Sequence, residues 1–422
     1  MILAGATLLE LDPPAVRVGD VRVRDGMIVE VGDALIRAAE EPVEALGGRW
    51  LLPGLVCAHH HLYAALACGM PMRPGSPASF ADMLARVWWR LDEALDLDVV
   101  EVSGLVGGVA ALRAGVTTVV DHHASPNAII GSLEVLDGAL GELGLRRVLA
   151  YEVTDRAGPE KARLGLRAHE GLFAAPRDGM RALRIGAHAS FTLSDATLRA
   201  CAALGREAGV GLHIHVAEAS DDVAAEPPVA RLARLGALLP GSILAHCVHV
   251  GADDLARIAD AGAWVTHQPR SNMNNAVGRA PLRHFPARTA LGTDGIGADM
   301  LAELQAGAFR AQEAGDGWGP ARWADTLAAS ARLATDALGV PLGRIAPGHA
   351  ADLVVLDPCP GPPLSADDLA AALIFRFSAA MVRHVMVAGA WRLRDRDPVA
   401  LDPQTLDRRA QTTARAVWAR MA

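Results

Sequence analysis

The chain has 422 residues, 51% of them hydrophobic, which is enough for one large domain and a smaller one. Its formal net charge is −8 and its pI about 6.0, with no basic block or stripe, so nucleic acid is not an expected partner. No apolar run reaches the roughly 18 residues of a membrane span, and Met1 to Asp12 lacks a basic leader segment. A cytoplasmic, unanchored protein is expected. Cys57, Cys68, Cys201, Cys247 and Cys359 are scattered and never paired as CxxC, which reads as reduced thiols. Arginine carries almost all the positive charge, and Lys161 is the one lysine.

Residues 1–52 read as short strands. Val16-Arg17-Val18 and Val21-Arg22-Val23-Arg24 alternate, Asp25-Gly26 signals a hairpin, and Met27 to Val31 returns. The same texture reappears at Ala351–Leu356 and Val382–Ala388. Segments 1–52 and 344–400 are therefore expected to form one small β-sandwich domain drawn from both ends, with a helix over 401–422.

Between them, residues 53–343 alternate strand and helix. The expected strands are Leu55–His61, Thr117–His122, Arg147–Val153, Arg184–Ala189, Gly211–Val216, Ser242–Cys247, Trp264–His267 and Thr289–Asp294. Helices are expected at Val99–Ala114, Ile129–Leu143, Asp195–Ala208 and Asp253–Ala261, with Ser194 as an N-cap. Eight such units predict an α/β fold, a (β/α)₈ TIM barrel.

Ionisable residues gather at the C-terminal ends of these strands, where barrel enzymes place their sites. The first strand ends in Ala58-His59-His60-His61. Strand side chains alternate, so His59 and His61 share a face and His60 points away. The fifth strand carries His213 and His215, also on one face, with Glu218 just beyond. The sixth ends in His246 and the eighth in Gly292-Thr293-Asp294-Gly295. Taken singly, each motif is as compatible with packing or a turn as with chemistry. Together they would converge on one barrel mouth as three histidines and an aspartate, a set that binds a divalent metal and leaves a position open for water.

This pattern resembles the amidohydrolase superfamily. Leu52-Pro53-Gly54-Leu55 followed by His59-His60-His61-Leu62 is similar to its opening motif. His215-Val216-Ala217-Glu218, Ala245-His246-Cys247 and Leu291-Gly292-Thr293-Asp294-Gly295 resemble its deaminase and chlorohydrolase branch. Arg344-Ile345, Gly348 and Ala351-Asp352-Leu353 resemble its return into the small β-domain. Trp88-Trp89-Arg90-Leu91-Asp92, Asp121 to Pro126, Arg270 to Asn275 and Asp294 to Gly297 look closest to the aminohydrolases called SsnA.

The resemblance implies that His59, His61, His215 and Asp294 hold one metal ion, zinc by default and ferrous iron as the other option. It implies that Asp294 accepts a proton from water, that Glu218 carries a proton to a ring nitrogen and that His246 polarises the attacked centre. His188 resembles a substrate-contacting histidine of the branch. His215 is favoured over His213 because the family's ligand has its glutamate three residues on. Dinuclear relatives use a carbamylated lysine on the fourth strand; here that strand has His188 and no lysine, so one metal is expected.

The implied reaction is hydrolytic deamination of an exocyclic amine on a purine-, pterin- or triazine-like ring, a small-molecule substrate, and the family tends to form homo-oligomers. The same machinery acting on a C–Cl or cyclic amide bond, and an inactive binding scaffold, are the competing readings. Several further residues carry a functional and a structural reading at once. Glu152 and Arg156, after the third strand, would contact the substrate or make a salt bridge. Asp121, His122, His123 and Asn272 would shape the pocket or cap turns. Trp88 and Trp89, in the 64–98 segment, would form a lid or bury a helix. Met70 and Met72 read as packing.

Overall fold

The computed structural model describes residues 1–71, 75, 77–173, 178–223 and 226–421; Met72 lies outside the described residues. The N-terminal strands are β1 (Ile2–Leu11), β2 (Pro14–Arg24), β3 (Met27–Gly32), β4 (Val43–Ala45) and β5 (Trp50–Pro53). The Asp25-Gly26 turn takes positive φ at both residues, 49° and 78°, as a tight hairpin requires. Near the other end lie β15 (Leu353–Leu356), β16 (Val382–Val387), β17 (Ala390–Arg394) and β18 (Asp397–Pro398). All nine belong to one mixed sheet, in which β15 of the late group pairs antiparallel with β5 of the early group. A helix, Pro403–Met421, follows.

The middle of the chain alternates strand and helix. β6 (Leu55–His60), β7 (Val116–His123), β8 (Arg146–Tyr151) and β9 (Arg181–Leu183) form one parallel sheet. β10 (Ile185–Ala189), β11 (Leu212–Val216), β12 (Ile243–His246), β13 (Trp264–His267) and β14 (Thr289–Leu291) form another. The two meet at both edges, through parallel bridges between His60 and Asp294 and between Val153 and Ala187. This is an α/β fold of the TIM-barrel type. The expected fourth strand, Arg184–Ala189, is β10 from Ile185 onward; the short β9 precedes it, and Arg184 between them donates its backbone N–H to Leu149 O on β8.

Almost every residue of β6 to β14 is buried, on both faces. That is the signature of parallel strands with side chains packed inside and helices outside. The helices lie where apolar periodicity placed them, at Leu97–Arg113, Ser132–Glu142, Asp195–Ala208 and Ala252–Asp260. Ser194 caps the third of these, its Oγ accepting from Thr197 N at 3.2 Å. A buried bidentate ion pair ties the barrel strands to the terminal sheet: Arg146 on β8 meets Asp352 at 2.8 and 2.9 Å, and Asp352 also accepts from Ala388 N.

Candidate active site

Strand ends deliver the polar side chains to one place. His59 on β6 and His61 just past its end share a face, and His61 opens a 3₁₀ turn, Leu62–Leu66. His61 Nε2 lies 2.9 Å from Asp294 Oδ1 and 3.1 Å from His215 Nε2; His59 Nε2 lies 3.5 Å from Asp294 Oδ1. Ligand atoms of His59, His215, His246 and Asp294 all lie within 4.8 Å of one another. The structure thus brings together all four residues expected to hold a metal, with His246 beside them.

The backbone bends sharply to achieve this. Asp294, His246 and Ala217, the residue before Glu218, all have positive φ, at 56°, 71° and 49°. Such non-glycine conformations cost energy and collect at functional sites. Gly292 has no alternative: a Cβ there would sit 2.7 Å from the Cβ and backbone of His59. Its absence lets β14 approach β6 and puts Asp294 next to His59.

Hydrogen bonds fix how the rings face. Nδ1 of His61 donates to His122 O at 2.6 Å, and Nδ1 of His215 donates to His188 O at 2.8 Å. A carbonyl only accepts, so in the neutral rings both Nε2 atoms present lone pairs, 3.1 Å apart in a buried site. They repel unless a proton or cation lies among them. Nδ1 of His59 meets His213 Nε2 at 2.8 Å, and Nδ1 of His246 meets Asn272 Oδ1 at 2.8 Å. His59 Nε2 and His246 Nε2, both fully buried, have no hydrogen-bond partner among the described residues. Orphaned buried groups cost about 1–3 kcal/mol each. Burial lowers His59, His215 and His246, keeping them neutral. Burial also opposes charge on His61, but contact with Asp294 outweighs it and lifts that ring to about 9. Asp294, although buried, is held well below the usual carboxylate range by His59 and His61. Three neutral imidazoles, and a fourth whose Nε2 proton a cation would displace, around an anionic carboxylate fit a divalent cation.

Glu218 lies at the rim of this cluster, its Oε2 3.5 Å from His246 Nε2. Burial, then the charge of Asp294, raises its carboxyl well above the ordinary range, which favours its protonated form. His61, His215, Glu218 and Asp294 line a cleft. Tyr63, Phe80, Trp88, Trp89 and Phe191 supply its aromatic walls; Glu152 and His188 lie on its edge. His188 Nδ1 donates to Thr192 Oγ1 at 2.6 Å, which leaves Nε2 near Glu152 Oε1 at 3.7 Å. Burial alone would raise Glu152, but the facing imidazoles of His188 and His122 and the Arg156 guanidinium bring it below its ordinary range.

Arg156 departs from the sequence expectation. It is not among the residues lining the cleft. Its Nη2 is engaged by Asp92 at 3.0 Å and Glu152 at 3.3 Å, and the guanidinium stacks on Trp89 at 4.6 Å. It braces two carboxylates that do face the cleft. Both tryptophans of the 64–98 segment line the cleft from the helical turns between Phe80 and Glu93.

A cleft over a histidine–aspartate cluster that could hold a metal ion lies at the C-terminal ends of the parallel strands. The chain belongs to the amidohydrolase family, whose sequence profile matches residues 50–392. Among curated proteins it is 32% identical to a 5-methylthioadenosine/S-adenosylhomocysteine deaminase of Halobacterium salinarum, over 98% of each chain. It is 27% identical to a 5'-deoxyadenosine deaminase of Methanothermobacter thermautotrophicus, over 82% of each. Among solved structures it is similar to an adenosine deaminase from Xanthomonas campestris with bound zinc (TM-score 0.82, 22% identity, 99% of this chain and 98% of that one). It is also similar to an atrazine chlorohydrolase from Arthrobacter aurescens complexed with zinc (TM-score 0.81, 23% identity, 98% and 99%). The protein is a hydrolase of carbon–nitrogen bonds other than peptide bonds.

Several contacting residues were given no role from sequence, although Ser271 and Asn275 lie in the Arg270–Asn275 stretch that carries the resemblance. Ser271 donates to Asp294 Oδ2, Asn275 reaches Ser271, and Asp222 accepts from Ala217 N at 2.6 Å, pinning the turn before Glu218. The i,i+4 spacing of Ser271 and Asn275 on one helical turn was the available signal.

Proposed function

We propose that the enzyme hydrolytically deaminates an exocyclic amine on a nitrogen heterocycle, with an aminopurine nucleoside as the first candidate and pterins and triazines next. The observation that carries this is the buried Glu218 carboxyl, 3.5 Å from His246 Nε2, beside a cluster of imidazoles and Asp294. The relatives' names, which are those of adenosine-type deaminases, support the choice of ring.

In this reading His59, His61, His215 and Asp294 hold one divalent ion, and three imidazoles with a carboxylate favour zinc over iron. When bound, the ion supplies Lewis acidity and lowers the pKa of water towards about 7. Asp294 accepts the proton that leaves the attacking water, its second oxygen kept in place by Ser271. Glu218, protonated at rest, gives its proton to the ring nitrogen and so draws electrons away from the attacked carbon. His246, with Nδ1 tied to Asn272, directs Nε2 at the developing oxygen. Glu152 and His188 offer an acceptor and a lone pair to ring N–H groups, and Trp88 and Trp89 give the ring a stacking surface and exclude water. Arg156 acts through Glu152 and Asp92.

The two parallel sheets are read as one closed eight-stranded barrel over 53–343, supported by the bridges at both edges. The sheet shared by both ends supports a composite β-domain, 1–52 and 344–400, with 401–422 as a terminal helix. Free cysteines support a cytoplasmic location, and among the described residues no helix is long and apolar enough to cross a membrane. A panel of aminopurine nucleosides, pterins and amino- and chlorotriazines tests the reaction. Ammonia equal to product is expected; turnover with chloride release or ring opening and no ammonia rejects the proposal.

A further inference from the structure

A short helix, Pro269–Asn274, and its C-cap residue Asn275 touch three of the proposed catalytic groups between them. Asn272 Oδ1 accepts from His246 Nδ1 at 2.8 Å. Ser271 Oγ donates to Asp294 Oδ2, and Asn275 Nδ2 donates to Ser271 Oγ at 3.3 Å. The Asn275 amide also meets the Glu218 carboxyl, and both residues line the cleft. Asn275 Oδ1 accepts from Asn274 Nδ2 at 3.2 Å, which turns the amide nitrogen toward Ser271.

The helix itself is held firmly. Arg270 N and Nε both donate to the buried carboxylate of Glu303, at 2.8 and 2.5 Å. Arg270 Nη2 donates to Gly297 O at 2.8 Å, three residues past Asp294. Ser271 and Asn272 are buried. The helix is thus fastened to the same loop whose aspartate it contacts.

We propose that Ser271 and Asn275 are positioning residues that join Asp294 to Glu218 through one hydrogen-bonded chain, setting the spacing between the carboxylate that takes a proton from water and the carboxyl that gives one to the ring. The proposal rests on the deaminase reading for the roles of those two groups. The donors run in one direction, from the Asn275 amide to the Ser271 hydroxyl to Asp294. Each link polarises the next in a site of low dielectric. Removing either link frees both ends, so the two residues act as a unit.

The test is a double-mutant cycle with Ser271→Ala, Asn275→Ala and the double variant, read as kcat and KM for ammonia release, metal per chain and thermal midpoint. Each single change is expected to lower kcat on the order of 10-fold, with KM within about 3-fold and metal content unchanged. The double variant should lose no more than the worse single, since one broken chain cannot be broken twice. Ser271→Thr, which keeps the hydroxyl, should recover most of the rate. In a Glu218→Gln background, Asn275→Ala should change kcat by less than about 2-fold. Multiplying losses in the double, or losses that follow metal content or folding, overturn the proposal.

A second reading needs no substrate. In cobalt-substituted protein, the pH midpoint of the visible spectrum should shift in Ser271→Ala and by the same amount in the double variant. Unchanged midpoints overturn the coupling even if no deaminase substrate is found. A wild type that releases no ammonia while its cobalt midpoint responds as described would instead overturn only the deaminase reading.

Discussion

Replacing Glu218 by glutamine asks whether a proton on that side chain matters. The exchange keeps side-chain size and an oxygen and nitrogen at the same reach, so the contacts with Asn275 and His246 keep their partners. What is lost is the ability to give and take a proton. Positioned general acid–base catalysis is worth about 10²–10⁴-fold. At about 1.36 kcal/mol per decade, the barrier should rise by about 2.7–5.4 kcal/mol.

The loss should appear in kcat, with KM within about 3-fold, because the aromatic walls and the Glu152–His188 edge are untouched. The pH profile adds a sign. Burial and then Asp294 raise the Glu218 carboxyl, and the protonated form is the donor, so wild-type activity should fall as pH rises through that raised value. The glutamine variant should lack this basic limb. Steady-state ammonia release between about pH 5 and 10, with metal content measured on the same samples, is the assay. A fully metallated variant that turns over within about 3-fold of wild type, with the same basic limb, would refute the role.

Three further outcomes are expected. His59→Ala removes a ligand whose Nε2 has no other partner, so bound metal should fall well below stoichiometric after dialysis, as elemental analysis would show; unchanged content would remove His59 from the site. Asp352→Ala leaves the buried Arg146 guanidinium uncompensated, and breaking such a pair costs about 3–5 kcal/mol, so the denaturant midpoint should drop with little change in slope; a loss under about 1 kcal/mol would mean that water reaches the arginine. Chelation should abolish activity and lower the thermal midpoint, because an ion that binds only the folded state adds RT ln(1 + [L]/Kd), about 4.1 kcal/mol at 1,000 Kd; a midpoint that does not move would contradict a built site.

The barrel strands were legible because parallel strands buried on both faces read as short apolar runs. β13, Trp264–His267, has the expected bounds. The pairing of His59 with His61 followed from the strand pleat alone. Sequence did not show the short strand Arg181–Leu183 ahead of the fourth, which pairs with β8. Nor did it show that Arg156 would be engaged by Asp92, 64 positions earlier in the chain, and so be kept out of the cleft wall. Tyr63, Phe80 and Phe191 drew no reading from sequence, because an isolated aromatic carries no directional signal, yet the fold lines the cleft with them. The left-handed backbones at His246 and Asp294 are set by the close approach of strand ends, which no local pattern encodes.

The account rests on four side chains, from the first, fifth and eighth strand units, sharing one cation. Protein purified in metal-free buffer, loaded with zinc, freed of excess and analysed for metal and protein together should contain about one ion per chain. Glu218→Gln should retain the same ratio, and any of His59→Ala, His61→Ala, His215→Ala or Asp294→Ala should lose it. A wild type that retains no ion, or holds two with equal tenacity, would contradict the assignment.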